Sequence, residues 1–112
     1  MLACECSEGT PANSSYDRLL RSARTPADLL ERIQSPGFSW PEQWQVQIQA
    51  GIQAKARVQL FSQLSDAETR SAHFEPCRDI SQAVETELQR TGSAGRVAVL
   101  PQGPLTIPYL AG

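Results

Sequence analysis

The chain has little of what catalysis usually draws on. It holds one histidine, His73, and one lysine, Lys55, so a nucleophile–histidine pair or a lysine nucleophile has a single candidate each. The three cysteines, Cys4, Cys6 and Cys77, are an odd number without framework spacing. That argues against a secreted disulfide scaffold and for a cytoplasmic location. No stretch approaches the roughly 18 apolar residues of a membrane helix. Leu2-Ala3-Cys4 ends like a bacterial lipoprotein signal, but no charged segment or apolar run precedes it. Ten Lys+Arg against twelve Asp+Glu give a net charge of −2, which leaves no basic footprint for DNA or RNA. Neither nucleic acid nor membrane is an expected partner.

What is present is ordinary for a globular chain: 40% hydrophobic and 20% charged residues over 112 positions, enough for one small domain. Nine of the ten basic residues are Arg, and five of the eleven glutamines fall between Gln43 and Gln53.

Helix and strand signals alternate. Leu2 to Cys6 is a short apolar run that reads as a strand. Tyr16, Leu19, Leu20 and Ala23 share one helical face. Thr25 and Pro26 open a second helix with Leu29, Leu30 and Ile33 on its buried side, stopped by Ser35-Pro36-Gly37. Ser39-Trp40-Pro41-Glu42 predicts the next start, with Ser39 as cap and Glu42 closing a capping box. That helix should run to about Lys55 on an apolar stripe of Trp44, Ile48 and Ile52. Gly51 inside it costs about 1 kcal/mol relative to Ala, which suggests close packing there or a weak helix.

Arg57 to Phe61 alternates as a second strand, and Ser65 to Glu68 is another capping box. Residues 73–76 read as an exposed loop. Asp79 heads a helix from Ile80 to Arg90 with Ile80, Val84 and Leu88 as its stripe and Gly92 at its end. Arg96 to Leu100 reads as the third strand, followed by a tail with three prolines that is no central strand. The expected fold is α/β, a partial Rossmann-like domain of about three mostly parallel strands flanked by four to five helices. A sheet this thin, with a strand starting at Met1 itself, looks like the inside of a larger domain.

No catalytic set is complete. Cys4, Cys6, His73 and Cys77 are soft ligands that could in principle hold zinc, yet neither pair has finger or ribbon spacing, and strand cysteines are commonly small hydrophobes. His73 reads as a solvated loop residue, and Lys55 as a cation at a helix C-terminus. Ser7-Glu8-Gly9-Thr10 sits where a dinucleotide turn would, but it has one glycine where that fingerprint needs three, and Pro11 removes a donor. Residues 91–95 lead into a strand and read as a tight connection. Trp44 on an apolar stripe reads as core, although Trp40, Gln43 and Gln47 beside it could line a pocket.

Several segments together resemble a known family. They are Cys6-Ser-Glu-Gly9, Tyr16-Asp-Arg-Leu-Leu20, Thr25 to Ile33, Trp40 to Ala50, Pro76-Cys-Arg-Asp79 and Val97 to Leu110. In order and spacing they resemble the C-terminal end of the nickel-dependent lactate racemases, over nearly all of Ala3 to Leu110. The resemblance implies an isomerase that inverts a small 2-hydroxy acid with a nickel-pincer nucleotide, of which residues 1–112 form a truncated C-terminal α/β domain. It also implies that the nickel-ligating histidine, the cofactor-holding lysine and the acid–base histidines lie in an N-terminal domain, on the same or a separate chain. His73 and Lys55 sit in no matching motif. Trp44, in Gln43-Trp44-Gln45, resembles the family's tryptophan near the substrate pocket. Glu8-Gly9-Thr10-Pro11 departs from the family's acidic-Gly-x-Gly turn, and Gly51 from its continuous helix. The expectation is a chain that completes a pocket, binds no cofactor and is inactive alone. The alternative is a non-catalytic module that forms a homodimer through its sheet edge.

Overall fold

A computed structural model describes residues 1–92 and 95–106. The elements are β1 (Leu2–Ala3), α1 (Ser15–Leu20), α2 (Pro26–Gln34), α3 (Gln43–Gln53), β2 (Gln59–Phe61), α4 (Asp66–Ser71), β3 (Glu75–Cys77), α5 (Ile80–Thr91) and a 3-10 turn at Gly103–Leu105. The chain forms two compact units, Met1–Ile80 and Ser81–Gly112.

In the first unit the three strands lie in the order β1-β2-β3, all parallel, with Leu2 opposite Leu60 and Leu60 opposite Pro76. The expected α/β class with a three-stranded parallel sheet and five helices is therefore what the chain adopts. Its third strand is not the expected one. Arg96–Leu100 has strand-like alternation, but among the described residues it pairs with no strand, and Val97 and Val99 stand exposed. The third strand is Glu75–Cys77, which overlaps the segment 73–76 read as an exposed loop. Two contacts explain it: the Glu75 N–H donates to the Val58 carbonyl at 3.0 Å, and the Arg57 guanidinium grips the Glu75 carboxylate at 2.7 and 3.1 Å. Pro76 is tolerated because β3 lies at the edge of the sheet.

The core of this unit is mainly helical: Leu19, Leu20, Leu29, Ile33, Val46 and Ala50, with Tyr16, Ala23, Leu30, Phe38 and Ala72 packed around them. Helix α2 starts on a full capping box, Thr25 with Asp28, and α4 on another, Ser65 with Glu68. Helix α3 does not start as expected. Its N-cap is Glu42, in the left-handed region at φ 63°, and no side chain caps it there. The Glu42 carboxylate accepts the Tyr16 N–H at the head of α1, and the Gln43 side chain accepts the Trp40 N–H instead. An anion beside the free N–H groups of α1 is favourable, so the glutamate serves its neighbour's helix.

The buried face of α3 is also a correction. Val46 and Ala50 are fully buried, whereas the expected stripe of Trp44, Ile48 and Ile52 is exposed at 62%, 58% and 55%. Two residues along a helix turn the direction by about 200°, so the two stripes face opposite ways. Gly51 belongs to the outer side: a Cβ added there meets nothing within 4 Å, so no close packing requires glycine.

Beside Val46 and Ala50 the inner face carries two glutamines with structural roles. Tyr16 Oη donates to Gln49 Oε1, and Gln49 Nε2 donates to the Ala72 carbonyl at 2.9 Å. Gln53 Nε2 donates to the Ala72 and His73 carbonyls at 3.1 and 2.9 Å. These are the carbonyls that a helix end leaves without partners. Burial pushes the Tyr16 pKa up, helped by the Asp17 charge, so the phenol keeps the proton it donates.

His73 is not the solvated loop residue expected. It ends α4 in the left-handed region at φ 60°, with its own N–H on the Arg70 carbonyl and the Phe74 N–H on that of Thr69, a Schellman closure. Its ring is half-buried and Nε2 donates to the Leu20 carbonyl at 3.0 Å, which ties the end of α4 to the end of α1. Arg78 makes a similar tie after β3, bonding the Ser62 and Leu64 carbonyls at 3.1 and 2.9 Å and the Asp66 carboxylate.

In the second unit, α5 extends one residue past its expected end and closes on Gly92 at φ 69°, as expected for that glycine. It buries no described residue, and Ile80 and Leu88 of its expected stripe are exposed. The tail beyond residue 106 lies outside the described residues.

Three outcomes follow for stability, each read from urea unfolding. Gln49→Ala should lower it by about 2 kcal/mol, since Tyr16 and the Ala72 carbonyl each lose a partner, while the exposed Gln45→Ala should change it by under about 0.5 kcal/mol. Gly51→Ala should raise it by about 1 kcal/mol. The Arg57 guanidinium, hydrogen-bonded to Glu75, holds that carboxyl below its ordinary range. Because the folded value is the lower one, the pair stabilises the fold above the unfolded value of about pH 4.3 and the gain is lost as pH falls through the folded value. Acidification below that point should therefore weaken the chain, and less steeply in Glu75→Gln.

Candidate functional site

The outer face of α3 borders an open concavity of about 550 Å³. Trp44, Ile48 and Ile52 recur at every fourth position along it, and Gly51 lines it with them. Gln47 lines the same surface, as do Lys55 and Ala56 just beyond the helix. A tryptophan and two isoleucines this exposed on one helix face form an apolar patch with a polar rim, the signature of a surface that meets a ligand or a partner.

Trp44, the one site residue expected from sequence, stands at the first turn of α3 and points away from the core, which removes the core reading of this side chain. Of the residues expected around it, only Gln47 shares the concavity. Trp40 is drawn off by its indole N–H, which donates to the Ser15 carbonyl at 2.9 Å, and Gln43 by the Trp40 backbone. Sequence reasoning passed over Ile48, Ile52 and Lys55 as site residues. The available signal was the second apolar set, Val46 and Ala50, which competes for the core.

The soft ligands do not converge. Cys4 and Cys6 lie with their sulfurs 3.2 Å apart, but Cys77 is buried with its thiol toward the Asp79 carbonyl, and the His73 ring is engaged on Leu20. Among the described residues no three His, Cys, Asp or Glu side chains group as a metal site. The hydrogen bond to Cys6, with some burial, pushes the Cys4 pKa up, so Cys4 holds its proton. The Gly9 loop is a plain turn, closed by the Gly9 N–H on the Cys6 carbonyl at 2.9 Å with Gly9 at φ 73°.

The nickel-pincer nucleotide implied by the sequence resemblance does not fit the donors present. The one imidazole is committed to a backbone carbonyl, and the one lysine stands exposed on the rim of an apolar surface. No helix of the described residues is long and apolar enough to cross a membrane.

Compared with known proteins, the chain matches the family model described as the lactate racemase C-terminal domain over residues 1–107. No curated protein and no solved structure matches it significantly. With the match spanning all but the last five of its 112 residues, the chain belongs to the lactate racemase C-terminal domain family.

Proposed function

We propose that this chain completes the substrate pocket of a nickel-pincer-dependent 2-hydroxyacid racemase and that Trp44 packs on the substrate or cofactor side of that pocket. The carrying observation is the exposed outer face of α3, where Trp44 stands free of the core beside Ile48 and Ile52. In this reading an N-terminal racemase domain, on the same or another chain, supplies the cofactor, its nickel ligands and the acid–base groups. Inverting a carbon that bears a hydroxyl requires a hydride or proton to leave and return at one atom. The residues described here offer no acceptor and donor pair for that exchange. Their contribution is to exclude water, through apolar side chains, from the space where the small hydroxy acid is held.

The purified chain should show no lactate racemisation when the nickel-pincer nucleotide is supplied; robust turnover by the chain alone would overturn the proposal. Joined with an N-terminal racemase domain, it should support turnover, and Trp44→Ala should lower kcat/KM at least tenfold. The same substitution should change the stability of the isolated chain by under about 0.5 kcal/mol, because the side chain is mostly in water. A stable folded dimer of the chain, paired through its sheet edge, would favour the homodimeric module instead.

A further inference from the structure

The racemase reading leaves the two thiols that follow β1 without a role. In an extended strand, side chains two residues apart stand about 6.7 Å apart. Here the Cys4 and Cys6 sulfurs are 3.2 Å apart, because the chain leaves the extended conformation at Cys6, which sits in the left-handed region at φ 53°.

That shape is held on both sides. The Cys4 N–H donates to the Phe61 carbonyl of β2 at 3.0 Å, the Glu5 carbonyl accepts the Gln63 N–H at 3.1 Å, and the Cys6 carbonyl accepts the Gly9 N–H at 2.9 Å. A disulfide needs sulfurs about 2.05 Å apart, so closing the pair takes a movement of little more than 1 Å. Cys4 is exposed and Cys6 half-exposed, so a small reagent reaches both, whereas Cys77 is buried. A soft cation would require further donors, and among the described residues none joins the pair.

We propose that Cys4 and Cys6 form a dithiol–disulfide couple that the folded chain presents to small-molecule disulfides. One sulfur, as its thiolate, attacks the S–S bond of the oxidant and releases one thiol. The second sulfur then attacks the mixed disulfide, gives up its proton and releases the other thiol. Two S–H bonds are lost from the protein and one S–S bond forms, while the oxidant is reduced to two thiols. The backbone that holds the two sulfurs together makes the second step an intramolecular one between preorganised groups.

The test equilibrates the full chain with mixtures of reduced and oxidised glutathione, traps free thiols with iodoacetamide, and maps the tryptic peptides by mass. Cys4 and Cys6 fall together in the peptide Met1–Arg18, and Cys77 falls in Ser71–Arg78, so the pair is read separately from the third thiol. At one glutathione ratio, the closed-to-open ratio of the Cys4–Cys6 pair should be at least tenfold higher in the folded chain than in the urea-unfolded chain. An equal or lower ratio in the folded chain would overturn the proposal. So would glutathione carried on Cys4 and Cys6 separately with no closed pair.

Discussion

Two side-chain amides hold the helices to the sheet in the first unit. Gln49 and Gln53 reach from α3 to the carbonyls at the end of α4, and the chain turns from those carbonyls directly into β3. Tyr16 closes the same group from α1, and the His73 ring returns to α1 at Leu20. The apolar core of Leu19, Leu29, Val46 and Ala50 is modest in size, and non-directional burial alone would leave the angle between helices and sheet loosely set. Hydrogen bonds to otherwise unpartnered carbonyls supply the direction. The glutamine-rich composition of α3 thus has a mechanical meaning that a hydropathy reading misses.

The exposed outer face of α3 follows from that choice. A helix has a limited inner arc, and in α3 it is taken by two small apolar residues and two glutamines. The bulkier Trp44, Ile48 and Ile52 are left outside, where they form the face proposed to complete a racemase pocket. A single helix therefore carries two apolar stripes with different tasks, one for its own unit and one for what it meets.

This arrangement explains how much could be read from the residues alone. Capping chemistry was legible where it is local: Thr25 and Ser65 cap their helices, and Gly92 ends α5 in the left-handed region. The parallel α/β class was legible from alternation. The third strand was not, because its pairing depends on Arg57 gripping Glu75 eighteen residues away, and Pro76 argues against a strand unless the edge position is known. The α3 stripe was misread because the largest hydrophobic residues were given the core, when side-chain amides had a stronger claim to the inner arc through partners on α4. Trp44 was singled out through the family resemblance, and its exposure, which the stripe reading did not foresee, is what the structure adds.

Pro76 has one more consequence. The Glu75 N–H points into the sheet toward Val58, so the next residue along β3 turns its backbone nitrogen outward, and at that position the nitrogen is a proline's. The outer edge of β3 therefore lacks the central donor that another strand would need. At β1, on the opposite side, no proline interrupts the strand. The two outer strands thus differ in backbone chemistry: a strand set beside β3 would lack that donor, whereas the residues of β1 withhold none.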